Sequence, residues 1–140
     1  MRVSISGPTN SGKTTLVQSF LKKWPMFATP TKTYRDVIVE SNLSHSTQTS
    51  EETQLLILDW MMKEQEKFGE KSKVLYDRCP IDNLVYTLYG NSKNLISDEV
   101  CAASISLVRE SLKNLDIIFL LRYDPDIKIV NDGMRDTDLD

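Results

Sequence analysis

Along the chain, short apolar runs alternate with stretches whose apolar residues recur at helical spacing. Arg2–Ser6, with Val3 and Ile5, predicts a short strand that Gly7 and Pro8 end. Residues 13–24 predict a helix, with Leu16, Val17, Phe20 and Leu21 on one face and Pro25 as its stop. Residues 26–28 predict a short second strand. The pattern over 34–40 is mixed and fits either a helical turn or an extended piece. Residues 41–50, rich in Ser and Thr, predict a mobile loop. Thr49 and Glu52 have capping-box spacing for a helix over 51–68. That helix is apolar on more than one face, through Leu55 to Leu58, Trp60, Met61 and Met62, so it needs cover on two sides.

Val74–Asp77 predicts a third strand. Pro80 opens a helix through Tyr89, with Ile81, Leu84, Val85 and Leu88 in register and Gly90 placed to end it. Ser97 caps a further helix whose first turn holds Asp98 and Glu99. Its apolar face is Val100, Ala103, Leu107, Val108, Leu112 and Leu115. Residues 116–121, DIIFLL, predict a strand buried on both faces. The alternation predicts an α/β fold with a central parallel sheet covered by helices on both faces. Its first strand lies between Val74–Asp77 and 116–121. Ligands bind beyond the carboxyl ends of such strands.

A chain of 140 residues suits one domain. The balance of 17 basic and 20 acidic residues offers no patch for nucleic acid or a membrane surface. The longest apolar run is far short of a membrane span, and Gly7 and Pro8 interrupt any export signal. The expectation is a soluble cytoplasmic protein beginning at its natural N-terminus. Cys79 and Cys101 have no metal or disulfide spacing and read as small buried residues. His45, the single histidine, reads as solvent-exposed. Trp24 and Trp60 read as core or interface residues. Tyr34, Tyr86 and Tyr89 fit either a substrate cleft or helix packing.

Residues 7–14, GPTNSGKT, match G-x-x-x-x-G-K-[ST] directly after a predicted strand and before a predicted helix. Gly7 permits the turn, and Gly12 lets backbone approach phosphate oxygens. Thr9, Asn10, Ser11 and the residues on to Thr15 supply amides that nest an anion at the helix start. Lys13 reaches the β- and γ-phosphates, and the Thr14 hydroxyl binds Mg²⁺. ATP and Mg²⁺ are therefore the expected cofactors. The second motif, VLYDRCP over 74–80, puts Asp77 at a strand end beside that loop. Asp77 is placed to hold the metal through water or to accept a proton from an attacking hydroxyl. Arg78 is placed to clamp a phosphate.

The phosphate loop, DRCPIDNLVY over 77–86 and NDGMRD over 131–136 together resemble the P-loop small-molecule kinases. That group includes thymidylate, deoxynucleoside and ribosylnicotinamide kinases. The D-R-x-P-x-D-x-x-x-Y pattern is most similar to the AAA-type ATPase/kinase domain family that contains ribosylnicotinamide kinase. The resemblance implies a three-layer P-loop nucleoside triphosphate hydrolase fold, in one domain over 1–140. It implies ATP-dependent transfer of phosphate to a nucleoside or nucleoside monophosphate. Lys13, Asp77, Arg78 and a lid residue, Arg135, would be catalytic; Arg35, Asp36 and Arg78 would face the acceptor.

Two departures stand out. Many deoxynucleoside kinases carry a glutamate where this chain has Thr29, Pro30 and Thr31, so the role of base passes to Asp77, to Asp36 or to no residue. The family pattern also runs on past the lid, so the chain is either a fragment truncated within or just after the lid or has an unusual ending. A sheet short of its edge strand would leave the 116–121 edge uncovered. Residues 41–50 and 131–140 would be the flap and lid. The apolar girth of the 51–68 helix predicts a homodimer. Competing classes are a regulatory nucleotide switch, against which the missing N-K-x-D motif counts, and a polynucleotide end kinase, against which the acidic balance counts.

Overall fold

The computed structural model describes residues 1–43 and 50–126. His45, Thr49, Arg135 and the 131–136 motif lie outside the described residues, as do most of the expected flap and all of the expected lid. In chain order the elements are β1 (Arg2–Ser6), α1 (Lys13–Lys23), α2 (Tyr34–Ser41), α3 (Glu51–Lys67), β2 (Val74–Asp77), α4 (Pro80–Ser92), α5 (Asp98–Ser111) and β3 (Ile117–Leu120). The sheet order is β2-β1-β3 and both pairings are parallel, as the alternation predicts. Ile5 pairs with Asp77 and Ser6 with Leu120, so all three carboxyl ends meet where β1 enters the phosphate loop. Residues 26–28 form no strand. Only Ala28 bridges Val74, with Leu75 N–H donating to its carbonyl at 2.8 Å.

Alternation along the strands divides the core between two faces. Val3, Ile5 and Leu75 pack on Val17, Phe20 and Leu21 of α1. Burying each of these aliphatic strand side chains stabilises the fold by about 1.5–3 kcal/mol. Ser4, Ser6, Val74 and Tyr76 are buried on the other face. There Ser6 meets Asp82 of α4, and Tyr76 meets Phe68 beyond α3 edge-on. A second cluster, Ile38, Ile57 and Met61 with Tyr34 and Trp60, joins α2 to α3. The ambiguous 34–40 segment is thus a helix, started by a reciprocal cap between Thr33 and Asp36. Ser50, not Thr49, caps α3 by accepting from Thr53 N–H. Helices α2, α4 and α5 all contact α3. The apolar girth that suggested a dimer is therefore largely covered within the chain.

Two helix faces differ from their expectation for one reason: polar and small residues, not large apolar ones, fill the inside. On α4, Val85 and Leu88 are exposed, while Asp82, Asn83 and Thr87 are buried. On α5 the buried stripe is Cys101, Ser104, Val108 and Ser111, and Leu107 is exposed. Gly90 sits buried inside α4 rather than ending it; its carbonyl accepts from Lys93 and Leu95, and Asn94 takes the left-handed conformation at φ 58°. Strand β3 is exposed along its whole length instead of buried on both faces. Among the described residues no strand pairs with its outer edge. Among the same residues no helix is long and apolar enough to cross a membrane.

Candidate active site

The phosphate loop leaves β1 at Gly7, whose φ of 144° and surroundings both demand glycine. A Cβ there would stand 2.5 Å from the Leu121 carbonyl oxygen, a backbone atom that cannot swing aside. Gly7→Ala is expected to destabilise the protein by about 2 kcal/mol or more, from strain and overlap together. Urea denaturation with an unchanged midpoint would contradict this. Gly12, at φ 82°, is the N-cap of α1, and a Cβ on it would meet nothing within 4 Å. No side chain caps α1, and the first N–H groups of a helix have no partner within the helix itself. Lys13 is only 6% exposed; its Nζ donates to the Pro8 carbonyl and, at 3.3 Å, to Ser11 Oγ. Thr9 Oγ1 lies 3.3 Å from Tyr86 Oη on α4. Thr14 and Thr15 are exposed on the first turn of α1.

Asp77 closes β2, one strand over from the loop. Burial pushes its carboxyl above the ordinary aspartate range, against the pull of nearby Arg78, Lys13 and Arg35. Arg78 follows with φ 81°, a left-handed conformation for a long side chain. Its N–H donates to the Ile5 carbonyl at 2.9 Å. Its guanidinium lies 3.4 Å from Asp82 and 5.0 Å from the Tyr34 ring centre, the geometry of a cation–π contact. Arg35 reaches the same tyrosine, its Nε donating to Tyr34 Oη at 3.2 Å.

A cleft of about 150 Å³ opens beside this group. Val17, Pro30, Trp60, Met61 and Pro80 give it apolar walls. Asp77, Arg78, Glu64, Gln65, Tyr76 and Lys32 give it polar ones. Glu64 and Gln65 are buried on α3, and burial raises the Tyr76 phenol to about 12.

The fold brings Lys13, Asp77, Arg78 and Arg35 into one neighbourhood. Asp36 is held elsewhere. Its carboxylate accepts from Thr33 N–H at 2.7 Å and from Thr33 Oγ1 at 2.9 Å, and these bonds hold it below the usual aspartate range. Sequence reasoning missed Tyr34 as the platform for both arginines, and it missed Asp82. The Cys79-to-Asp82 spacing, with Pro80 at the first helical position, was a legible helix start. Asp82's bonds to Ser6 and Gly7 were not legible, since they arise only when β1 and β2 lie side by side.

Any Mg²⁺ here would be held as Mg²⁺ usually is, by one or two protein oxygens plus phosphates and water. The Thr14 hydroxyl and the Asp77 carboxylate suit that role. Among the described residues no group of three or more His, Cys, Asp or Glu side chains makes a metal cage.

A parallel sheet whose central strand runs through G-x-x-x-x-G-K-T into a helix defines a P-loop protein of the α/β class. The chain belongs to the AAA domain family, whose model matches residues 2–140. No curated protein matches it in sequence. Among solved structures it is similar to deoxyadenosine kinase from M. mycoides with products dCMP and dCDP bound, at TM-score 0.67 and 15% identity. That match covers 89% of this chain and 65% of the kinase. The same kinase with bound dCTP gives TM-score 0.65 and 18% identity, over 86% of this chain and 63% of that one. NadR protein in complex with NR gives TM-score 0.68 and 18% identity, over 96% of this chain and 36% of NadR. At these identities the likeness shows the fold. The chain spans less than two thirds of each of these proteins.

Proposed function

We propose that the protein is an ATP-dependent kinase that phosphorylates a hydroxyl group of a nucleoside. One observation carries this reading. Asp77, a carboxylate within electrostatic reach of the phosphate-loop lysine, also lines a mainly apolar cleft that carries a few polar groups. Bound Mg·ATP supplies the phosphoryl group and the metal charge. Lys13 then offsets charge on the phosphates, and the first-turn amides of α1 orient them. Asp77 accepts the proton of the attacking hydroxyl as its oxygen bonds to the γ-phosphorus and the bond to ADP breaks. Arg78, next in the chain to Asp77, steadies the equatorial oxygens.

The cleft's charges favour a neutral acceptor over a monophosphate. Lys32 is paired with Glu40 at 2.8 Å, Arg78 with Asp82 at 3.4 Å and Glu64 with Lys67, which leaves Asp77 as added negative charge. Trp60 and Met61 suit a flat base, and Glu64 and Gln65 suit its polar edge. A panel of nucleosides and a panel of nucleoside monophosphates, each with γ-labelled ATP, tests this. At least one nucleoside should become labelled, with kcat/KM above that of its own monophosphate by about 10-fold or more, a modest penalty for like charge in the cleft. Labelling of monophosphates alone would reverse the acceptor class. ATP hydrolysis indifferent to both panels would favour a nucleotide switch.

A further inference from the structure

Asp82 sits in the first turn of α4 and does more than cap that helix. The cap itself needs one bond, from Cys79 N–H at 2.9 Å to Oδ2. The carboxylate accepts three more. Ser6 Oγ donates to Oδ2. Gly7 N–H, at 3.1 Å, and Arg78 Nη1, at 3.4 Å, share Oδ1. These donors come from the last residue of β1, the first residue of the phosphate loop and the turn after β2. The residue is 7% exposed, so water does little to compete for its oxygens. A carboxylate fixed by four donors has one orientation, and the donors inherit it.

What it joins is the point. Gly7 sets how the phosphate loop leaves β1, and the Leu121 carbonyl packed against it leaves little freedom. Arg78 holds a backbone conformation that costs a non-glycine residue about 1–3 kcal/mol. Its N–H is tied to β1 through Ile5, and its guanidinium lies between Asp82 and the Tyr34 ring. We propose that Asp82 is a positioning residue: one buried carboxylate fixes both the entry amide of the phosphate loop and the guanidinium of Arg78. The halves of the site that would hold the donor's phosphates and the transferring group are thereby set relative to each other. This deepens the kinase reading and rests on it for the consequence in turnover. The coupling of Gly7 to Arg78 is measurable without turnover.

The test uses the ¹⁵N-labelled chain and two substitutions, Asp82→Asn and Arg78→Ala. In Arg78→Ala the cap and the Ser6 bond persist, and Oδ1 keeps Gly7 as its one donor. The Gly7 amide proton should then move downfield. In Asp82→Asn it should move upfield, and the Arg78 Nη1–H signal should shift toward that of a solvated guanidinium. For turnover, Asp82→Asn should lower kcat about 100-fold, the cost of misplacing a group by roughly 1 Å. Its KM for ATP should change only a few-fold. Added to Arg78→Ala, the same substitution should cost less than about 3-fold, because residues that act as a unit are not additive. A merely structural role would lower Tm and the active fraction equally in both backgrounds. An unmoved Gly7 amide in Arg78→Ala, or full multiplicativity of the two kcat losses, overturns the proposal. If Asp82→Asn does not fold, the Gly7 shift in Arg78→Ala still decides. If the wild type phosphorylates no nucleoside, the kinase reading falls and the same shift still decides the coupling.

Discussion

Replacing Lys13 with alanine is expected to abolish ATP turnover and leave the fold intact. Two observations separate these effects. The apolar contacts that seat α1 on the sheet come from Val17, Phe20 and Leu21, not from Lys13. The lysine's amino group instead bonds within its own loop, to the Pro8 carbonyl and Ser11 Oγ. Bonds made by a charged donor are worth about 1.5–3 kcal/mol each, so the variant should melt several degrees lower and still fold. The catalytic cost is larger. A charged donor held where phosphate charge builds up is worth about 100- to 1000-fold in kcat, since it needs no reorganisation during the reaction. The lysine is only 6% exposed, held in place by its loop bonds. Turnover should be measured at saturating ATP, so that weaker binding is not mistaken for slower chemistry. A variant within a few-fold of wild type under those conditions would remove Lys13 from the phosphates.

What the sequence told well was local. The phosphate loop, the strand before it and the helix after it are set by neighbours in the chain: apolar alternation in β1, glycine at 7 and 12, no cap residue at the start of α1. The position of Asp77 beside that loop was also legible, because parallel alternation with right-handed crossovers admits few strand orders. What it told badly was which face of a helix is inside. Apolar periodicity assumes that burial follows hydrophobicity, and α4 breaks the rule by burying Asp82, Asn83 and Thr87. Asn83 donates to Gln54 of α3 at 2.7 Å and Asp82 to nothing, being an acceptor for donors near and far in sequence. A polar residue inside is affordable only when its partners come to it, and those partners belong to other elements. On α5, serines at 104 and 111 are buried in place of leucines because small residues admit close packing against α3 and α4. The Thr33–Asp36 cap, three residues apart in the chain, decides for the helical alternative over 34–40.

Asp77→Asn is expected to lower turnover at least about 100-fold while leaving stability at neutral pH equal or higher, the lower range for acid–base catalysis setting the figure. The two halves have one cause. Burial raises the folded-state pKa of Asp77 above its ordinary value of 3.8, despite Arg78 and Lys13 nearby. The sign follows from proton counting. Between the unfolded and folded pKa values the folded protein keeps a proton that the unfolded chain has released. Stability therefore falls as pH rises through that window, and above it the buried charge is a standing cost. Asparagine removes the charge at nearly the same size, so the cost goes with it. An aspartate that a fold would be steadier without is a candidate for chemistry, not for structure. The same elevation makes it a better base, because proton affinity and ionisation must be balanced near working pH. The acid limb of the kcat/KM profile should consequently lie above 3.8 in the wild type and vanish in the variant. Three measurements decide: turnover, urea denaturation at two pH values, and the pH profile. A variant with normal turnover, or one that loses activity only by losing stability, would return Asp77 to an ordinary strand-end residue.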